Sequence, residues 1–149
     1  MLIRYTVRQS PLADLRLVCF HESGHAIVGA ILGLNPKFEI IPTGKKNDPH
    51  DKAFRGQTGY FGPGTQELDA VACWAGPIAE CKFLGEAFSD YEHVRTACSY
   101  TDKKSIMEHS YPEQTFARAL SMVIEHWPRI TAEAEAAIED SKTRFAEHL

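Results

Sequence analysis

The segment CFHESGHAIVGAILGL, residues 19–34, constrains the fold of this chain more than any other stretch. It predicts a helix, because only tolerated glycines interrupt it before the Asn-Pro pair at 35–36. Apolar or small residues surround almost the whole helical wheel, which is typical of a central helix packed against others. His21, Glu22 and His25 lie within it, although such groups are costly to bury unless something pairs with them or binds them. A bound metal ion is the simplest explanation.

The spacing of these three residues suits a catalytic metal site. His21 and His25 are four residues apart, so both rings can face one cation from the same side of the helix. Glu22 lies about 60° from His25 on the wheel and points past the cation. A zinc ion held by two imidazoles and a carboxylate keeps one position open for water and makes that water more acidic. A nearby glutamate then takes the proton during attack on a carbonyl, so the motif predicts peptide hydrolysis.

The third ligand is not part of the motif. Val28 and Ile31 stand where the extended pattern HExxHxxGxxH has its glycine and third histidine. A carboxylate from elsewhere in the chain must therefore complete the site. Spacing leaves four acids open, all in or beside the middle helices: Glu80, Glu86, Asp90 and Glu92.

The pattern of the remaining residues predicts a mainly α fold, a compact helical bundle around the central HExxH helix, with a short β-hairpin or two-stranded sheet. We expect a strand at 38–41, its partner at 59–61 and a loop over 43–57 between them. The Gly-Pro pair at 76–77 should bend or restart the second helix. Residues 1–13 are predicted to form an arm. Helices are predicted from 13 or 14 to 34, over 65–85, from 89 or 90 onward, over 115–127 and over 128–145.

Length and composition indicate an ordinary globular chain. With 149 residues, 44% hydrophobic and 24% charged, one domain spanning 1–149 is expected. The net charge of −4 argues against nucleic acid as a partner. The apolar stretch 26–34 is far shorter than the ~20 residues that cross a bilayer, so no membrane span is expected.

The cysteines and the amino terminus favour the cytoplasm. Four cysteines, at positions 19, 73, 81 and 98, form no CxxC pair. We therefore expect reduced, buried, apolar thiols rather than disulfides or metal ligands. Nothing at the amino terminus resembles a cleavable targeting segment.

Several motifs resemble the FtsH-type zinc metallopeptidase domain. HESGHA, residues 21–26, matches the HEAGHA of that family with serine for the first alanine. IIPTG at 40–44 and Gly-Tyr at 59–60 look like its strand ending in Pro-x-Gly and the Gly-Tyr that follows. AGPIAECKFLG at 75–85 is similar to its GGRxAEExxFG segment. The resemblance extends from about residue 12 into the last helices.

The resemblance implies the rest of the site. Its third zinc ligand is an aspartate that begins a helix, which matches Asp90 and favours it over Glu86 and Glu92. An acid there is also held by backbone amides and the helix dipole. The counterpart of Glu80 is not a ligand, which implies a structural or supporting role. The strand at 38–41 would lie beside the site, where it either binds an extended peptide by strand addition or simply covers the helix.

These observations predict a zinc-dependent metalloendopeptidase for unfolded or flexible polypeptides. Glu22 would be the general base, and His21, His25 and Asp90 the metal ligands. The sequence contains no GxxxxGK[ST] loop, so any ATPase partner would act in trans. Two alternatives remain: a catalytically silent metal-binding adaptor or regulatory domain derived from such a protease, and a peptidase for one small substrate.

Overall fold

The protein is mainly helical, with a small antiparallel sheet, as the sequence predicts. The structure is a computed structural model and describes residues 10–48, 50–109 and 111–149. Its elements in chain order are α1 (Pro11–Ile31), β1 (Pro36–Pro42), β2 (Phe54–Tyr60), α2 (Gln66–Phe83), α3 (Tyr91–Ala97), α4 (Tyr100–Met107), α5 (Pro112–Glu125), α6 (Trp127–Arg144) and a short 3-10 turn (Ala146–His148).

Helix α1 begins earlier than predicted. Ser10 caps it, because its side-chain oxygen accepts a hydrogen bond of 3.0 Å from the amide of Ala13, and Pro11 fits the first turn. The helix ends at Ile31, short of the predicted residue 34. Most of the arm predicted for residues 1–13 falls on 1–9 and lies outside the described residues.

The two strands are longer than predicted. β1 pairs antiparallel with β2, with Pro36 opposite Tyr60 and Pro42 opposite Phe54. Residues 54–57, predicted as loop, therefore belong to β2. The polar sequence FRGQTGY shows no strand pattern because Gly56 and Thr58 face Glu22 on α1 rather than an apolar core.

Helix α2 runs continuously through Pro77, where a bend or a restart was predicted, so the helix does not restart there. It packs closely against α1. A Cβ added to Gly24 would lie 2.5 Å from the backbone oxygen of Ala75, so only glycine permits this close approach. Gly24 lies outside the small-residue face predicted for α1, and two residues of that face, Ala30 and Gly33, are exposed.

The last four helices close the bundle. Asp90 caps α3 as predicted, and Pro128 lies in the first turn of α6. Helices α2 and α5 share one apolar cluster with α1, and α6 shares a second cluster with α1 and β2. Helix α4 follows α3 closely and packs on α2, which brings its first turn beside α1. No helix in the described ranges combines the length and apolar character needed to cross a membrane.

Candidate metal centre

His25 is held by α2 in one orientation. Its ring is almost fully buried, and Nδ1 lies 2.7 Å from the backbone oxygen of Ala72. A carbonyl only accepts hydrogen bonds, so Nδ1 carries the proton and Nε2 presents its lone pair. Gly76 leaves room for this ring, since an added Cβ would overlap the imidazole. His25 is therefore shaped as a ligand through Nε2.

His21 presents the matching nitrogen. Its Nε2 lies 3.1 Å from Nε2 of His25. On the other side of the ring, Nδ1 is 3.3 Å from Oε1 of Glu80 on α2. A carboxylate behind a metal-binding histidine fixes its tautomer and orientation. The supporting role that the resemblance implies for Glu80 agrees with this position.

Asp102, on the first turn of α4, lies against both rings. Oδ2 is 3.0 Å from Nε2 of His21, and Oδ1 is 3.3 Å from Nε2 of His25. Ser99 caps this turn, accepting a 3.2 Å hydrogen bond from the amide of Asp102. The two imidazole nitrogens and this carboxylate thus converge on one point.

Electrostatics couple the three groups. Burial alone would raise the pKa of Asp102, but the charge of His25 and hydrogen bonds from both rings lower it far below its usual value. Burial would lower the pKa of His21, but Asp102 and Glu80 together raise it well above its usual value. For His25, Asp102 likewise outweighs burial, and the pKa rises. Protons and a divalent cation would therefore compete for the same ring nitrogens.

Asp90 does not reach the two histidines, contrary to the sequence-based choice. It is exposed, and its Oδ1 accepts a 3.0 Å hydrogen bond from the amide of His93. Its carboxylate therefore caps the start of α3, as expected for an N-cap residue. The acid that faces Nε2 of both rings is Asp102, in the first turn of the following helix.

The other two acids left open by spacing also lie elsewhere. Glu86 pairs with His93, with 2.8 Å between Oε1 and Nε2. Glu92 pairs with Arg95 on the surface.

Glu22 is buried beside the metal centre and is held by β2. Its Oε1 accepts a 2.7 Å hydrogen bond from the hydroxyl of Thr58. Oε2 lies 4.0 Å from Nε2 of His21. A Cβ at Gly56 would lie 2.5 Å from Cγ of Glu22, so this glycine makes room for the carboxylate. One oxygen of Glu22 is anchored, and the other faces the metal centre.

An open cleft of about 630 Å³ lies over these groups. His21, Glu22 and Glu80 line it, together with β2 residues 54–56 and residues 96–99, which span the end of α3 and the two residues before α4. The loop after β1 contributes Thr43 and residues 50–52, including His50. A ligand in this cleft would therefore reach Glu22 and the exposed side of His21.

The donor set fits a divalent cation. His21, Glu22 and His25 form a group whose ligand atoms all lie within 4.8 Å of one another. The 3.0–3.3 Å separations among His21, His25 and Asp102 approach the ~3.3 Å expected between ligands 2.0–2.1 Å from a tetrahedral ion. Three carboxylates are also buried against only two imidazoles, and a cation would offset their charge.

The sequence predicted the α1 residues of the candidate centre and, through the resemblance, a supporting role for Glu80 on α2, but it missed Asp102 and Thr58. Asp102 follows Ser99 by three residues, a spacing typical of a helix start, but that signal says nothing about proximity to His21. Thr58 has no local signal at all, because only the pairing of β2 with β1 turns its hydroxyl toward Glu22.

Comparisons with known proteins give no assignment of the chain. No protein-family model matches it, and no curated protein matches it.

Proposed function

We propose that this protein is a zinc metallopeptidase that hydrolyses peptide bonds of unfolded or flexible polypeptides. The observation that carries the proposal is the convergence of three metal-ligand groups beside a separately anchored glutamate at the edge of an open cleft. His21, His25 and Asp102 would hold the ion. Their neutral-nitrogen and carboxylate donors suit zinc, and the resemblance to FtsH-type peptidases points to the same metal.

When bound, zinc would polarise the scissile carbonyl and make water a stronger nucleophile at neutral pH. Glu22 supplies the proton transfer. Thr58 holds Oε1, so Oε2 is the oxygen that takes a proton from the attacking water and delivers it to the leaving amine. Because Glu22 is not one of the proposed metal ligands, its carboxylate is free both to take the proton from water and to deliver it to the leaving amine.

The polypeptide would bind along β2. Hydrogen bonds from Thr43 to Ala53 and from Phe61 to Asn35 extend the hairpin at its two ends, both between odd-numbered residues. Antiparallel ladders alternate, so the even-numbered residues of β2 direct their backbone groups away from β1. In the described ranges no further strand pairs with that edge. Gly56, on this edge, lines the cleft. This arrangement favours strand addition at β2 rather than at the 38–41 strand.

Digestion of unfolded casein tests the proposal. The zinc-loaded protein should cleave it, and a chelator should stop cleavage. Glu22→Gln should keep the metal and lower kcat by about 10²–10⁴-fold, because general acid–base catalysis contributes on that order. His25→Ala should lose both metal and activity. Glu92→Gln, which alters an exposed carboxylate paired with Arg95, is the matched control and should behave as the parent protein.

Two results would overturn the proposal. A zinc-loaded parent protein that cleaves neither casein nor a peptide library would indicate a binding domain without turnover. Full activity in Glu22→Gln would remove Glu22 from the mechanism.

A further inference from the structure

A second group of potential metal ligands lies outside the centre on α1. It consists of Cys81, Glu86 and His93, each offering one ligand atom within 4.8 Å of the other two. Cys81 is fully buried, whereas Glu86 and His93 are partly exposed, at 22% and 27% of their side-chain surface. The group shares no residue with the first centre.

The turn after α2 brings these residues together. Gly85 has a φ of 71°, a left-handed conformation that favours glycine. The amide of Gly85 bonds to the carbonyl of Lys82, and the amide of Glu86 bonds to the carbonyl of Cys81. This pair of bonds is the Schellman arrangement that ends helices. It folds Glu86 back onto the last turns of α2, beside Cys81.

Helix α3 supplies the third side chain. Asp90 caps this helix by accepting the amide of His93, which fixes the histidine in its first turn. Nε2 of His93 then lies 2.8 Å from Oε1 of Glu86. This contact places both groups beside the buried thiol of Cys81.

We propose that Cys81, Glu86 and His93 form a second metal site, for a zinc-class divalent cation, that ties the end of α2 to α3. Thiolate, imidazole and carboxylate are the donors that zinc and cobalt accept together. On binding, the thiol would release its proton to solvent, since the thiolate is the ligand. The partly exposed carboxylate and imidazole give the ion a path from solvent.

The position of the site suggests what it would do. Glu80, which contacts His21, immediately precedes Cys81. The end of α3 and the two residues after it, 96–99, form one wall of the cleft. The next turn of the chain carries Asp102. An ion between α2 and α3 would therefore hold that wall and that turn in place, as structural metal sites stabilise the folds around them.

Cobalt titration of the metal-free protein distinguishes this site from the first one. A thiolate bound to Co²⁺ gives a ligand-to-metal charge-transfer band in the near ultraviolet, and the first centre has no sulfur ligand. The parent protein should show this band and should bind one equivalent of cobalt more than Cys81→Ser. In His93→Gln the cobalt affinity measured from this band should fall by at least about tenfold, because losing even a residue that only supports a ligand costs about 10–100-fold.

Two matched controls keep the result specific. His109→Gln removes an imidazole elsewhere, and Glu92→Gln removes a neighbouring carboxylate; both should leave the band unchanged. The band should also persist in His25→Ala, so failure of the first centre would not imitate failure of the second. Because Cys81 is buried, its variant is checked for folding by circular dichroism, and the partly exposed His93→Gln tests the site if Cys81→Ser does not fold.

Absence of a charge-transfer band in the parent protein would overturn the proposal. So would a band that survives unchanged in folded Cys81→Ser, or in His93→Gln.

Discussion

The two halves of the candidate metal centre, the imidazole pair and Asp102, differ in how the chain builds them. The imidazoles come from adjacent turns of α1, so helical geometry alone places them side by side. Asp102 comes from α4, 81 residues after His21. Its position depends on the Ser99 cap and on the packing of α4 against α2. One half is set by local structure, and the other by the whole fold.

This difference indicates which parts of the centre can move. The rings stay together whenever α1 is helical, and His25 is further fixed by the carbonyl of Ala72. The carboxylate stays with them only while the short helices α3 and α4 hold their places. Substitutions in the two halves should therefore have different consequences for metal binding and for folding.

The largest effect is expected from Asp102→Asn. The variant removes the charge that faces both rings, so zinc affinity should fall by more than the ~10–100-fold typical of residues that only support ligands. Peptidase activity should be lost at limiting zinc. Competition with a chromophoric chelator measures the affinity.

Asp90→Asn is the matched control for Asp102→Asn. Asparagine caps helices about as well as aspartate, so both zinc affinity and stability should stay close to those of the parent protein. A large loss of affinity in Asp90→Asn, with little in Asp102→Asn, would reverse the assignment of the third ligand.

The same contrast explains how far the sequence could predict the centre. HESGH lies on one strongly apolar helix, so both the helix and the pairing of His21 with His25 follow from periodicity. Periodicity could not choose the acid, because Asp90 and Asp102 both lie at the start of a helix. Only the tertiary packing of α4 on α2 separates them. For β2 the reason is similar, since Gly56 and Thr58 face Glu22 instead of an apolar core and leave no alternating pattern.

Glu80→Gln tests the half of the candidate centre that α1 provides, through the contact of Glu80 with His21. Glu80 contacts Nδ1 of His21, so the substitution should loosen the better-defined half of the centre without removing a ligand. A loss of about 10–100-fold in zinc affinity is expected, as for other residues behind metal-binding histidines. Equilibrium dialysis against zinc measures it. Affinity unchanged from the parent protein would show that His21 needs no support from α2.

A smaller effect is expected from Thr58→Val, which removes the hydroxyl that holds Glu22. The carboxylate would then sample other orientations, and kcat should fall about tenfold, corresponding to about 1.4 kcal/mol. KM and zinc affinity should change little, since Thr58 contacts no proposed ligand. Thr58→Ser keeps the hydroxyl and should restore kcat. Failure of serine to restore it would indicate a packing role for the threonine methyl group instead.

The smallest effect is a pH dependence that couples the two halves. In metal-free protein the raised pKa of His21 and His25 contributes stability that is complete below about 6.5 and is lost as pH rises through the folded-state values. The lowered pKa of Asp102 contributes stability above about pH 3.8 that is lost as pH falls.

With a chelator present, the melting temperature should therefore decline above pH 6.5, and it should decline less in Asp102→Asn. With zinc the trend should reverse, because the ligands must lose their protons to bind. A metal-free melting temperature that declines no more steeply in the parent protein than in Asp102→Asn would show that Asp102 and the rings are not paired in solution.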